Sequence, residues 1–315
     1  MTDLSKMFNL SLEVLRARQQ KLPIVALEST VVTHGLPRPQ NLDLAHDMEQ
    51  TVRAEGATPA TIAVLDGQIQ VGLNADQLEK LAIADNPVKV SLRDFATAIV
   101  QYRPGGTTVA GTMFVAHKTG IRVFATGGIG GVHKEAELDI STDLQALADT
   151  PIIVVCAGAK SILNLPATLE YLETMGVPVV GYGTDRFPEF FSSGGDLPVS
   201  VSMDNPDDVI RFAKAHWELG LKSAILVCQP IPADMAIRPQ ELAPILQQVS
   251  NEVKKKQAEH SMTGQQVTPY ELMRVNELTG GKSLRANLEL LLNNARLAAK
   301  LARSLASSEY QQKTI

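Results

Sequence analysis

Six short apolar runs, each closing on small or polar residues, limit what this chain can fold into. They are Ile24-Val-Ala-Leu27, Thr61-Ile-Ala-Val-Leu65, Ile121-Arg-Val-Phe-Ala125, Ile152-Ile-Val-Val-Cys156, Val177-Pro-Val-Val180 and Ala224-Ile-Leu-Val-Cys228. Strands that are apolar along most of their length are covered on both faces, which is the condition of a largely parallel sheet. Between the runs, residues 41–55, 76–84, 144–148 and 206–219 carry helical periodicity. Residues 238–260 read as a charged helix and residues 1–21 as an N-terminal helix. Residues 284–305 form an amphipathic helix whose stripe runs through Leu284, Leu288, Leu291, Leu292, Ala295 and Ala298. Strand–helix alternation predicts an α/β chain: an α/β/α sandwich with a largely parallel central sheet, in preference to a closed barrel. With 315 residues, no low-complexity linker and no fixed-period repeat, the chain reads as a single large domain, 1–315.

Charge and composition remove several function classes. A net charge of -5 and an isoelectric point near 5.7 argue against a nucleic-acid polymer as partner, but not against a small phosphorylated ligand. No apolar run reaches the roughly 18 residues of a membrane-spanning helix. Residues 1–20 mix acidic and basic side chains and do not read as a secretory signal. Cys156 and Cys228 end apolar runs and read as core thiols, which fits a reducing cytoplasm.

Candidate chemistry gathers just past the apolar runs. Lys160 follows the run ending at Cys156, where an open α/β sheet places its ligands. Apolar walls there would favour the neutral, nucleophilic amine; the alternative is a surface lysine opening the next helix. Glu28 follows Leu27 directly. Desolvation at a strand end would suit it to moving a proton, while capping a helix or pairing an arginine are equal alternatives. Lys89 sits in the strand-like Pro87-Val-Lys-Val-Ser91, where position alone favours an exposed edge lysine.

Gly105-Gly-Thr-Thr108 and Thr126-Gly-Gly-Ile-Gly-Gly131 read as Gly-rich turns able to cradle a phosphate through backbone N–H groups. The second is not a dinucleotide fingerprint, because His133 stands where a third glycine belongs. In Asp139-Ile-Ser-Thr-Asp143, Ser141 reads as a helix N-cap with Asp143 in the first turn. Asp139 is left over, and one carboxylate with water is a common way to hold a hard divalent cation. Asn287 is a polar residue on the apolar stripe, so it is either a satisfied core amide or a ligand contact. Walker, zinc-spacing and Gly-x-Ser-x-Gly patterns are absent.

Read as longer strings, the chain resembles the pseudouridine-5′-phosphate glycosidase family. The strings include Val25-Ala-Leu-Glu-Ser-Thr30, Pro59-Ala-Thr-Ile-Ala63, Thr107-Thr-Val-Ala110, Phe124-Ala-Thr-Gly-Gly-Ile-Gly-Gly-Val-His133, Val154-Val-Cys-Ala-Gly-Ala-Lys-Ser-Ile162 and Glu277-Leu-Thr-Gly-Gly281. The resemblance implies reversible cleavage of the C–C glycosidic bond of pseudouridine 5′-phosphate to uracil and ribose 5-phosphate. It implies Lys160 as the nucleophile that holds ring-opened ribose as an imine, and Glu28 as proton donor. It implies Asp139 as ligand of a divalent metal, usually Mn2+. Lys89, Val109 (through its backbone), Ser141, Thr142 and Asp143 become substrate contacts, and Asn287 a uracil contact. A homotrimer of α/β/α sandwiches follows from the same resemblance. Two departures stand out: the segment from His133 to Asp139 is shorter than the family's, and Gln229 precedes Pro230 where asparagine is more usual. The competing expectations are a lysine-dependent aldolase-like lyase acting on a sugar phosphate, and a non-catalytic nucleotide-binding protein.

Overall fold

The computed structural model describes residues 7–134, 139–193, 195–262 and 264–311. Its strands are β1 (Phe8–Leu10), β2 (Ile24–Leu27), β3 (Thr58–Leu65), β4 (Gln68–Val71), β5 (Val88–Val90), β6 (Gly105–Thr107), β7 (Val123–Ala125), β8 (Ile153–Cys156), β9 (Val179–Tyr182), β10 (Val201–Met203) and β11 (Ile225–Cys228). The helices are α1 (Leu12–Gln19), α2 (Gln40–Ala54), α3 (Ala75–Ala82), α4 (Phe95–Val100), α5 (Val109–Lys118), α6 (Thr142–Asp149), α7 (Leu165–Thr174), α8 (Pro206–Glu218), α9 (Pro239–Ala258), α10 (Gly264–Leu278) and α11 (Lys282–Gln311). A single turn of π-helix, Val31–Gly35, follows β2.

The strands form one sheet in the order β1-β4-β3-β2-β7-β8-β11-β9-β10, with β6 paired to β3 and β5 to β6. Every pairing is parallel except those of β3 with β4 and with β6. Alternation of side chains across the sheet splits the apolar runs between two cores. Ala26, Phe124, Val154, Cys156, Leu226 and Cys228 join one core with residues of α5, α6 and α7. Val25, Leu27, Val123, Val155, Ile225 and Val227 join the other with α2, α8 and α11. Helices therefore cover both faces, and the α/β/α sandwich expected from the sequence is the observed architecture.

Cys156 and Cys228 are register partners on β8 and β11, fully buried, with free thiols 3.7 Å apart. No helix among the described residues is long and apolar enough to cross a membrane.

Two elements differ from the sequence reading. Where a helix over 1–21 is expected, Phe8–Leu10 instead forms β1, because it pairs in parallel with β4, Phe8 opposite Ile69. Ser11 then caps α1, its hydroxyl accepting the Val14 N–H at 3.2 Å; residues 1–6 lie outside the described residues. The Gly-rich stretch at 105–108 is not a turn: Gly105–Thr107 is strand β6. It pairs with Ala63 and Val64 of β3 just past the point where β2, paired to Thr58–Thr61, has ended. A Cβ on Gly106 would lie 2.6 Å from the Ser29 carbonyl oxygen, so only glycine lets the strand pass.

Candidate active site

The sheet order itself assembles the site. β2, β7 and β8 are parallel neighbours, so the turns leaving their carboxyl ends meet on one edge. Glu28 leaves β2, the Thr126–Gly131 turn leaves β7, and Lys160 lies four residues past the end of β8. They line one cavity of about 640 Å³, which also takes in Lys89, Val109, Asp139, Ser141, Thr142, Asp143 and Asn287. Every candidate residue named from the sequence thus borders the same space.

Local structure explains each placement. Glu28 begins the seam where β6 replaces β2 beside β3. Its neighbour Ser29, fully buried, closes the seam: Ser29 Oγ donates to the Ile62 carbonyl at 2.5 Å and accepts the Thr107 N–H at 3.0 Å. The Lys160 turn is held by its own N–H donating to the Ile129 carbonyl at 3.2 Å and by Leu163 N–H donating back to Lys160 at 3.0 Å. Lys160 does not open a helix; α7 starts at Leu165 with Asn164 as N-cap. Gly158, at φ +79°, lets the Pro188 carbonyl approach too closely for any side chain, so the segment carrying Phe190 seals one wall.

Asp143 is the knot of the opposite wall. One oxygen accepts the Ala110 N–H at 3.0 Å and the other the Gly130 N–H at 2.9 Å. Ser141 caps α6 as expected, accepting the Asp143 N–H at 3.2 Å. Thr108 caps α5 by accepting the Gly111 N–H at 3.2 Å. Two helix N-termini, with Thr108, Val109, Ser141 and Thr142 at their tips, therefore open onto the cavity beside Lys89. Helix N-termini carry partial positive charge and unpaired N–H groups, a setting suited to an anion. The Gly130 N–H, by contrast, is already given to Asp143.

Charges in the cavity perturb one another. Burial pushes the Glu28 carboxyl above its ordinary range, opposed by the Lys160 cation and by the Thr126 hydroxyl, which donates to Glu28 Oε1. Burial likewise pushes the Lys89 ammonium down, reinforced by repulsion from Lys160 and opposed by Asp143 and Glu28. A raised carboxyl beside a depressed amine is the pattern expected where protons are exchanged.

Asp139 stands half-buried on the rim, its carbonyl accepting the His133 N–H at 3.0 Å; residues 135–138 of the shortened segment lie outside the described residues. Among the described residues no group of three or more His, Cys, Asp or Glu is gathered around a metal position. Asp143 is already saturated by backbone donors, whereas no hydrogen bond or ion pair from a described residue occupies the Asp139 carboxylate. That donor set does not make an all-protein cage. It fits a hard cation held by one carboxylate, with water or substrate oxygens completing its shell.

Several wall residues were not legible as site residues. His133, seen in the sequence only as a broken glycine pattern, lines the cavity with Phe190 and with Thr268, Pro269 and Leu272 of α10. Burial pushes the His133 imidazole below its ordinary range, against the pull of Asp139.

Residues 13–304 match the family described as Indigoidine synthase A like protein. The chain is 51% identical over 295 residues to the pseudouridine-5′-phosphate glycosidase of Solibacter usitatus, covering 93% of this chain and 97% of that protein. It is 48% identical over 296 residues to the protein of the same name from Geobacillus kaustophilus, again with 93% and 97% covered. Among solved structures, the prealnumycin C-glycosynthase AlnA in complex with ribulose 5-phosphate superposes with a TM-score of 0.87 at 36% identity, covering 97% of this chain and 99% of that one.

Proposed function

The chain belongs to the indigoidine synthase A-like family of pseudouridine-5′-phosphate glycosidases, and from that premise we propose that it reversibly cleaves the C–C glycosidic bond of pseudouridine 5′-phosphate. The products are uracil and ribose 5-phosphate. The observation carrying this reading is the meeting of Lys160, Glu28 and Lys89 in one cavity with two helix N-termini. The ribulose 5-phosphate held by AlnA, an open-chain pentose phosphate, supports a ring-opened sugar here.

The 5′-phosphate sits against Lys89 and the tips of α5 and α6, where Val109 acts through its backbone and Ser141, Thr142 and Asp143 shape the cradle. The neutral Lys160 amine bonds to C1′ as the C1′–O4′ bond opens, and the proton the nitrogen releases goes to O4′. The sugar is then tethered through nitrogen while still bonded to uracil C5. Glu28 protonates C5; the C1′–C5 electron pair restores the C5–C6 double bond of uracil, and the nitrogen lone pair closes an imine at C1′. Water hydrolyses the imine and frees the amine. A carbon leaving group needs this electron source and this proton, which the two-carboxylate arrangement for oxygen leaving groups does not supply.

Burial keeps Glu28 protonated at higher pH than an exposed glutamate, which suits a donor. Asn287 offers an amide to the donor and acceptor edge of uracil. Asp139 would hold a divalent cation such as Mn2+, which would polarise and orient substrate oxygens when bound. We take the active form to be a cytoplasmic homotrimer, to be checked by light scattering.

Incubation with uracil, ribose 5-phosphate and Mn2+, followed by mass detection of the coupled nucleotide, tests the reading. Pseudouridine 5′-phosphate is expected. An aldehyde released from a sugar phosphate with no turnover of uracil would instead favour the aldolase-like lyase, and binding without product the non-catalytic alternative.

A further inference from the structure

We propose that Thr126 is a positioning residue for Glu28, itself held in place by a buried amide pair, Asn294 and Gln229, that stands behind the cavity wall. The inference rests on the reading of Glu28 as proton donor and adds what sets that donor.

Thr126 is fully buried, and each of its polar groups is committed. Its N–H donates to the Val155 carbonyl of β8 at 3.0 Å. Its carbonyl accepts from Asn294 Nδ2 at 2.8 Å. Its hydroxyl donates to Glu28 Oε1. With the backbone tied on both sides and a β-branched side chain stiff at χ1, the hydroxyl has one direction to point. No other described side chain hydrogen bonds the Glu28 carboxyl.

Asn294 comes from α11, 168 positions along the chain from Thr126, and is 1% exposed. Its amide is used completely. One N–H goes to the Thr126 carbonyl, the other to the Gly127 carbonyl at 3.2 Å, and its oxygen accepts from Gln229 Nε2 at 3.1 Å. Gln229 is anchored in turn by its own N–H on the Cys156 carbonyl at 3.0 Å. None of the three residues borders the cavity. A buried amide that meets two carbonyls of a catalytic turn is costly to leave unpaired, and a fully satisfied network fixes one geometry. The Gln229 side chain is long enough to carry its amide from that backbone anchor to Asn294.

The consequence for Glu28 is chemical as well as geometric. A hydroxyl donated to a carboxylate stabilises the charged form, so Thr126 counters part of the rise that burial imposes on Glu28. It leaves the acid able both to release its proton to carbon and to recover it.

The test is the pH profile of kcat for uracil release in the wild type, Thr126→Val, Thr126→Ser, Asn294→Ala and Glu28→Gln. The limb missing in Glu28→Gln identifies Glu28. Thr126→Val, which keeps shape and removes the hydroxyl, is expected to move that limb up by about one pH unit and to lower kcat at the optimum by about tenfold. Thr126→Ser restores both, and Asn294→Ala shifts the limb the same way by a smaller amount. A Thr126→Val profile superimposable on the wild type overturns the proposal, as does a Thr126→Ser enzyme no better than Thr126→Val. Should Thr126→Val not fold, an unshifted limb in Asn294→Ala overturns it equally. Full activity in Glu28→Gln would instead remove the proton-donor reading beneath it.

Discussion

The Asp143 carboxylate accepts the backbone N–H of Ala110 at 3.0 Å, joining the first turn of α6 to the first turn of α5. Its second oxygen takes the Gly130 N–H at 2.9 Å, so one buried side chain sets the spacing of two helix N-termini and a glycine turn. Asp143→Asn keeps the size but exchanges one acceptor for a donor that faces an N–H. Charge-assisted hydrogen bonds contribute about 1.5–3 kcal/mol each. The variant is expected to melt several degrees lower by calorimetry. Its KM for ribose 5-phosphate should rise at least tenfold, because the anion cradle loses its geometry.

Lys89 lines the same cavity from β5, and in the proposed reading its ammonium clamps the 5′-phosphate. Lys89→Met should raise KM for ribose 5-phosphate by one to two orders of magnitude, about 1.4–2.8 kcal/mol of binding. Unphosphorylated ribose, if it reacts at all, should be handled alike by both enzymes. Equal losses for the two sugars would show that Lys89 serves something other than the phosphate.

Asn287→Leu separates base from sugar. In the synthetic direction KM for uracil is expected to rise about tenfold, the cost of one or two hydrogen bonds, with KM for ribose 5-phosphate unmoved. A change confined to thermal stability would make Asn287 a core amide, the alternative its place on the α11 stripe allows.

Glu271 gives the protein a pH-dependent stability of its own. It lies on α10, 5% exposed, and its Oε2 has no hydrogen-bond partner among the described residues. Burial pushes its carboxyl from 4.5 up to about 8, against the pull of Lys134 and Lys160. A folded value above the unfolded one means that the native state holds the proton longer. Stability therefore falls as pH rises from 4.5 towards 8 and levels off beyond, with a total loss on the order of a few kcal/mol. Urea titrations at pH 5 and pH 8 should show this loss in the wild type and a much smaller one in Glu271→Gln. Parallel pH curves for the two proteins would contradict the assignment.

The sequence makes the central strands legible because their apolar runs are dictated by burial on both faces, and all six runs become strands, β2, β3, β7, β8, β9 and β11, with ends within three residues of those read. Lys160 and Glu28 are legible for the same reason: a charged residue just past such a run can only stand at the sheet's carboxyl edge. The strand-like Val88-Lys-Val90 becomes β5, but the short strand β6 is not legible, since Gly105-Gly-Thr107 carries no apolar alternation. Nor are the walls supplied by α10 and Phe190. Gly264 and Pro269 weaken the helix signal of α10, and Phe190 reaches the cavity only through the close approach of its segment to Gly158. Thr126 escapes as well: its hydroxyl matters because of Glu28, 98 positions away.

The proposed C–C cleavage requires that Lys160 form an imine with an open-chain pentose phosphate. Borohydride reduction in the presence of ribose 5-phosphate, followed by peptide mass mapping, measures this directly. A reduced pentose phosphate bonded to Lys160, absent from Lys160→Ala, is the expected result. A wild-type protein that remains unmodified, or carries the sugar on Lys89 instead, would contradict it.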